Sequence, residues 1–451
     1  MKTLAPFAFA CFIMAFLFIG CLEREKEKSG LMEVQKDQGR LSSVPFVIMS
    51  RDSLYNKVLG ALVGSAIGDA MGAPTEMWSR ESIDLEYGFV DSLDRMVREP
   101  SPEGTWDYNL PAGGTTDDTR WKVLMAHYIL NHSSDFYGKN GPDPYDFAQS
   151  IVDQYSSELA GLKDITGFDP GPYEDQMRRI AWLQEFAIVA KEYADKNFDG
   201  YRKAVNKFYG GDMACPGLLY APTIGILYPG VPDLAYRTAY ELSIFDIGYA
   251  MDITSLTTAM VAEAMIYETN PEKILAVLTA NDPQNYFKSR LLGRITYRIY
   301  RDALYIAREA KKVDSVMELD LNPVPEIHDT LYMAQLKKAY VMLDERNQDV
   351  PFHAGEIHLI NLTALIFTDF NFRKALEFVV NYGRDNDTVA AITGTILGAY
   401  HGFDGIPPDM SDAVLKTNKE KLGIDLEEIA GRLTEMMIEN NEGSRNTRGI
   451  E

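Results

Sequence analysis

The sequence predicts an all-α domain over residues 44–440. Apolar side chains recur at helical spacing: Leu54, Val58, Leu62 and Ala66 open the pattern. Similar stripes run through 119–131, 174–192, 235–268, 288–311, 328–345, 371–381 and 387–401. Runs alternating with period two, the mark of a half-buried strand, are scarce, and no longer fixed period suggests a solenoid. The 451 residues are 46% hydrophobic and 24% charged, an ordinary globular balance with ample material for a core.

The chain opens on Lys2 and an uncharged run from Leu4 to Gly20, ending at Cys21, which reads as an export signal over residues 1–20. Gly20-Cys21 resembles the lipobox of bacterial lipoproteins, with Phe18 where a smaller aliphatic residue is usual. Cys21 is therefore the expected lipidation site, anchoring an exported protein to a bacterial membrane on its periplasmic or cell-surface side. Residues 21–43 mix both charges with Gly and Ser and carry no apolar period, the composition of a solvated tether. Cys11 falls in the signal and Cys21 at the cut, so Cys215 has no disulfide partner. Beyond Asn440 the chain reads as a polar tail, residues 441–451.

Within the domain, Gly60-Gly64-Gly68-Gly72 and Gly394-Gly398-Gly402 each place a glycine every four residues. Glycine inside a helix costs about 0.5–1 kcal/mol relative to alanine, so two such series need a compensating gain. Close packing of two helices near the domain centre supplies it. Lys57 and Asp69 interrupt the first series and disfavour the membrane version of this spacing.

Three segments carry the polar residues that could do chemistry. Gly113-Gly114-Thr115-Thr116-Asp117-Asp118-Thr119 sits where a Gly/Pro-rich loop meets a helix running from Arg120 to Leu130, with Thr116 or Asp117 as its cap. Capping alone explains an acid there. Adjacent carboxylates, however, point about 100° apart around a helix, so one caps while the other projects elsewhere. Gly383-Arg384-Asp385-Asn386-Asp387-Thr388 repeats this grammar before the second glycine-ridged helix. Carboxylate and hydroxyl oxygens suit Mg²⁺, Mn²⁺ or Ca²⁺, whereas scattered histidines and one free cysteine disfavour zinc. An EF-hand is excluded because Leu397 stands where the loop counted from Asn386 needs its closing Glu. The first glycine helix ends in Gly68-Asp69-Ala70-Met71-Gly72-Ala73-Pro74-Thr75-Glu76. Asp69 reads as a loop-holding acid, and Glu76, after a helix-breaking proline, is freer to face a pocket as a general acid/base.

In order and spacing, residues 58–76, 113–119 and 383–407 resemble the ADP-ribosylglycohydrolase family, and the likeness spreads over most of 52–410. The resemblance implies an orthogonal multi-helix bundle with a central di-metal cleft. It implies that Thr116, Asp117 and Asp118 bind one side of a two-magnesium centre, with Mn²⁺ as a possible substitute, and Asp385, Asp387 and Thr388 the other. Glu76 matches a family acid at that centre and is the expected catalytic residue. The implied reaction is hydrolysis of an N- or O-glycosidic bond to the ribose of a small-molecule or protein-linked ADP-ribosyl, or related, group. Residues 167–173 look like a family pocket loop, with Gly171 and Tyr173 as candidate substrate contacts.

The sequence departs from the family in mid-chain. Gly210-Gly211-Asp212-Met213-Ala214-Cys215-Pro216-Gly217 lacks the Asn and Arg of the usual Gly-Asn-Gly segment, and Met251-Asp252-Ile253-Thr254 stands near where a Thr-His pair is common. An inactive homologue serving as a binding or structural protein is the alternative, and a two-metal phosphoesterase a more distant one. With 66 acidic against 44 basic residues, a net charge of −22 disfavours nucleic acid and leaves membrane contact to the lipid on Cys21.

Overall fold

In the computed structural model, residues 49–97, 109–138, 140–167, 177, 180–314 and 330–448 are described. The expected signal and tether, Cys21, Gly171 and Tyr173 lie outside them. The longer helices are α1 (Arg51–Gly72), α2 (Asp117–Asn131), α3 (Pro144–Thr166), α4 (Ala181–Ala194), α5 (Pro232–Leu242) and α6 (Ala250–Ala264). They continue as α7 (Ile295–Ala310), α8 (Thr330–Asp344), α9 (Ala354–Phe367), α10 (Phe372–Tyr382), α11 (Asn386–His401) and α12 (Leu426–Arg448). Among the described residues the strands amount to one short antiparallel pair, Met96–Val97 against Asn109–Leu110. The all-α expectation holds, and the described residues belong to one compact unit, Ser43–Glu451.

The centre of the molecule is α1 against α11. Ser50 caps α1 by accepting from the Ser53 N–H, and from Val58 to Gly72 every residue is buried, as befits a helix apolar on all sides. The glycines make this packing possible. A Cβ on Gly60 would meet the carbonyl of Gly398, one on Gly64 the carbonyl of Gly394, and one on Gly68 the backbone of Ala390. A Cβ on Gly72 would meet the backbone of Asp387, so the ridge ends by seating the second acidic motif against the first glycine helix. Gly402 ends the ridge: its backbone lies where a Cβ on Gly60 would point, and it caps α11 at φ 74°, a value that glycine adopts without strain.

Lys57 is buried, and its ammonium donates to the carbonyls of Ala264 (3.2 Å), Ala399 (2.8 Å) and Tyr400 (2.6 Å). These close the C-terminal ends of α6 and α11, where unpaired carbonyls and the helix dipole favour a cation. Burial alone lowers the Lys57 pKa to about 8.

Three expectations need correction. The stripe over 235–268 is two helices, α5 and α6, because Ser243–Tyr249 turns the chain between them. The first motif's helix starts at Asp117 rather than Arg120, because Thr116 caps it and both acids lie in its first turn. The final helix continues to Arg448, so the polar stretch over 441–448 is helical. Polarity alone does not separate a helix from a coil.

Candidate active site

Thr116 adopts extended backbone and its hydroxyl accepts from the Asp118 N–H at 3.4 Å, turning the Gly-rich loop into α2. Asp69, fully buried at the end of α1, accepts from the Thr116 N–H (2.9 Å), the Thr119 N–H (2.9 Å) and the Thr119 hydroxyl (2.6 Å). It holds the loop, as its place beside a ridge glycine suggests. On the far side, α11 begins at Asn386, whose amide donates to the Thr75 hydroxyl (2.8 Å) and the Val380 carbonyl (3.0 Å).

These two helix starts meet. The Thr116 hydroxyl lies 3.4 Å from an Asp387 oxygen, 271 residues away, and the Thr388 hydroxyl donates to Asp118 at 2.9 Å, 270 residues away. Asp117, Asp118, Asp385, Asp387 and both threonines are buried, and Glu76 is partly exposed at the edge. Lys122, one turn beyond Asp118, reaches its carboxylate at 3.2 Å. This i,i+4 spacing is the sequence signal for the pair.

The electrostatics record crowded negative charge. Burial, then Asp118 and Glu76, push the Asp385 carboxyl up to about 8. Burial, Glu76, Asp385, Asp118 and Asp69 push Asp387 well above the carboxylate range. Asp69 rises to about 6 through burial and Asp118, despite its three donors. Carboxylates packed this way hold protons unless a cation takes their place.

Among the described residues, no three Asp, Glu, His or Cys side chains are arranged to enclose an ion by themselves. The oxygens around the Thr116–Asp387 and Thr388–Asp118 contacts alternate carboxylate with hydroxyl, a hard donor set in strong negative potential. That chemistry fits a divalent cation of the magnesium type.

A model of the ADP-ribosylglycohydrolase family matches residues 50–443. The chain belongs to the ADP-ribosylglycohydrolase family. Among similar proteins, YegU of Escherichia coli is 34% identical over 360 residues, covering 78% of this chain and 90% of its own. ADP-ribosylhydrolase ARH3 of Bos taurus is 24% identical, covering 77% of this chain and 86% of its own. ADP-ribosyl-[dinitrogen reductase] glycohydrolase of Rhodospirillum rubrum is 22% identical, covering 82% and 95%. A solved structure titled an ADP-ribosylglycohydrolase-related protein complex superposes with a TM-score of 0.51 at 20% identity, covering 86% of this chain and 99% of that one. That likeness supports the fold.

Cys215, in the mid-chain stretch Gly210–Gly217, lies near the same acids. Burial, followed by the nearby carboxylates of Asp385, Asp118 and Asp246, pushes the Cys215 thiol well up. Gly217 donates its N–H to Asp246 at 2.8 Å, and a Cβ there would strike that carboxylate, which also accepts from Thr254 at 2.7 Å. Asp252 is fully committed elsewhere: Arg294 grips it at 2.6 and 2.9 Å, and Tyr236 and Thr296 donate to it. Asp252 and Thr254 are thus held by structural contacts.

Proposed function

We propose that this family member is a magnesium-dependent glycoside hydrolase that cleaves the ribosyl linkage of ADP-ribosylated or related ribosyl substrates. The supporting observation is the junction of the two acidic motifs through Thr116–Asp387 and Thr388–Asp118. Thr116, Asp117 and Asp118 would hold divalent ions from α2, and Asp385, Asp387 and Thr388 from α11. Bound there, two Mg²⁺ ions would neutralise the carboxylates and polarise ribose hydroxyls next to the scissile bond.

The chain's own residues supply the rest. Glu76, at the exposed edge of the acid cluster, is the group that can take a proton from an attacking water and orient it. Asp69 and Lys122 keep Thr116 and Asp118 in place and need not touch substrate.

Incubating the protein with ADP-ribosylated arginine, ADP-ribosylated serine and simpler ribosyl compounds tests the reading. Release of the ribosyl product with Mg²⁺ and its loss with chelator is the expected result. An intact panel at full Mg²⁺ occupancy would favour an inactive binding homologue. We further propose export and lipid anchoring through Cys21. Fatty-acid labelling should mark the parent and miss Cys21→Ser, and an unlabelled cytoplasmic parent would sink the idea.

A further inference from the structure

The second motif contains a residue that neither caps a helix nor offers an oxygen ligand. Arg384 stands between Gly383 and Asp385 at φ 67°, a left-handed backbone that is strained for a side-chain-bearing residue. Its own side chain accounts for the turn. The guanidinium makes a two-pronged pair with Glu356 in the first turn of α9, at 2.7 and 2.9 Å, and donates to the Gln348 carbonyl at 2.9 Å. Glu356 is 2% exposed and also accepts from the Gln348 N–H at 2.6 Å. Such forked pairing fixes direction as well as distance.

The Arg384 peptide points at the Glu76 loop. Arg384 N–H donates to the Trp78 carbonyl at 2.9 Å, and Met77 N–H donates to the Arg384 carbonyl at 2.7 Å. Met77 is itself left-handed, at φ 63°. Beside this clamp, Asn386 holds Thr75. Glu76 therefore sits between two anchors, both furnished by the second motif, Arg384 before α11 and Asn386 at its start.

We infer that Arg384, anchored by Glu356, is a positioning residue: it holds the 75–78 loop against the second motif and thereby sets where the Glu76 carboxylate stands. The kinetic side of this inference rests on the proposed role of Glu76, and the structural side does not.

Arg384→Gly tests it, because glycine adopts φ 67° without strain and the turn remains accessible while the anchor is lost. Glu356→Gln removes the same pair from the other end. Hydrogen exchange followed by mass spectrometry should show the amides of 76–78 opening roughly 10-fold faster or more in both variants, with exchange in the α1–α11 core unchanged. Unchanged exchange at 76–78 in both variants would overturn the inference. In turnover assays, Arg384→Gly should lower kcat roughly 10- to 100-fold with KM within about 3-fold of the parent. In a Glu76→Gln background the same change should produce no further loss, since both act through one group. Full, additive losses in the two backgrounds would show that Arg384 does not work through Glu76. If Glu76→Gln alone leaves turnover intact while exchange still rises, the catalytic assignment of Glu76 fails and the placement of its loop stands.

Discussion

At the scale of single residues, the site is a contest between burial and charge. Glu76 differs from its acidic neighbours by being partly exposed, which lets it meet water. Glu76→Gln should lower turnover roughly 10²–10⁴-fold while leaving Mn²⁺ affinity within a few-fold, because the amide keeps shape and loses basicity. Parallel turnover and Mn²⁺ titrations check this, and unchanged turnover would return Glu76 to a structural role. Asp246 tests the same physics away from the acid cluster. Burial lifts its carboxyl from 3.8 to about 6 despite donors from Thr254 and Gly217. The folded state thus holds this proton more tightly than the unfolded chain does. Its contribution favours folding below about pH 4 and is lost as pH rises from about 4 to 6. Asp246→Asn should therefore flatten part of the fall in unfolding free energy between pH 4 and 6, by at most about 2–3 kcal/mol. Urea titrations in chelator at several pH values measure the slope. An unchanged slope would mean that Asp246 is ionised in the fold throughout.

At the scale of elements, the glycine ridges decide how near two helices can come, and their spacing in the sequence already announced a tight contact. Which residues the ridge would meet was not announced. Gly64→Ala should gain up to about 1 kcal/mol of helix propensity. It should lose more, because the new methyl would collide with the backbone at Gly394, which has no rotamer to change. A net destabilisation of roughly 1–3 kcal/mol is expected from such overpacking. Denaturant unfolding with chelator present reads it, and a variant as stable as the parent would show that α1 and α11 can separate without cost. Activity should fall as well, since Gly72 at the end of the ridge sets the position of Asp387. The charged residues that spoke against a membrane helix have specific partners: Lys57 closes two helix ends and Asp69 braces the first motif.

At the scale of the whole molecule, the fold brings acids from distant parts of the chain into mutual repulsion. On the proposed reading a bound cation would relieve that crowding, so Mg²⁺ should raise the melting temperature by mass action. Asp385→Asn removes one of the crowded carboxyls, which burial and its acidic neighbours push up to about 8. It should abolish activity and weaken Mg²⁺ binding, yet melt no lower than the parent when both are in chelator. Melting curves with chelator and with excess Mg²⁺ separate these effects. A chelated variant melting well below its chelated parent would make Asp385 a structural anchor and remove the case for repulsion.

The helical class, the glycine contact, a cap at Thr116 or Asp117 and the two acidic motifs were all legible in sequence, because periodicity, turn chemistry and capping act within a few residues. Asp69 as a brace was legible too, from its place beside a ridge glycine. Tertiary structure alone decided that Thr116 faces Asp387 and Thr388 faces Asp118, since contacts some 270 residues apart depend on the packing of α1 against α11. It also decided that α12 runs through a polar stretch, that Ser243–Tyr249 divides an apolar stripe, and that Arg384 reaches Glu356 to clamp the Glu76 loop. No local pattern encodes these, because each depends on which surface the folded chain lays beside the residue.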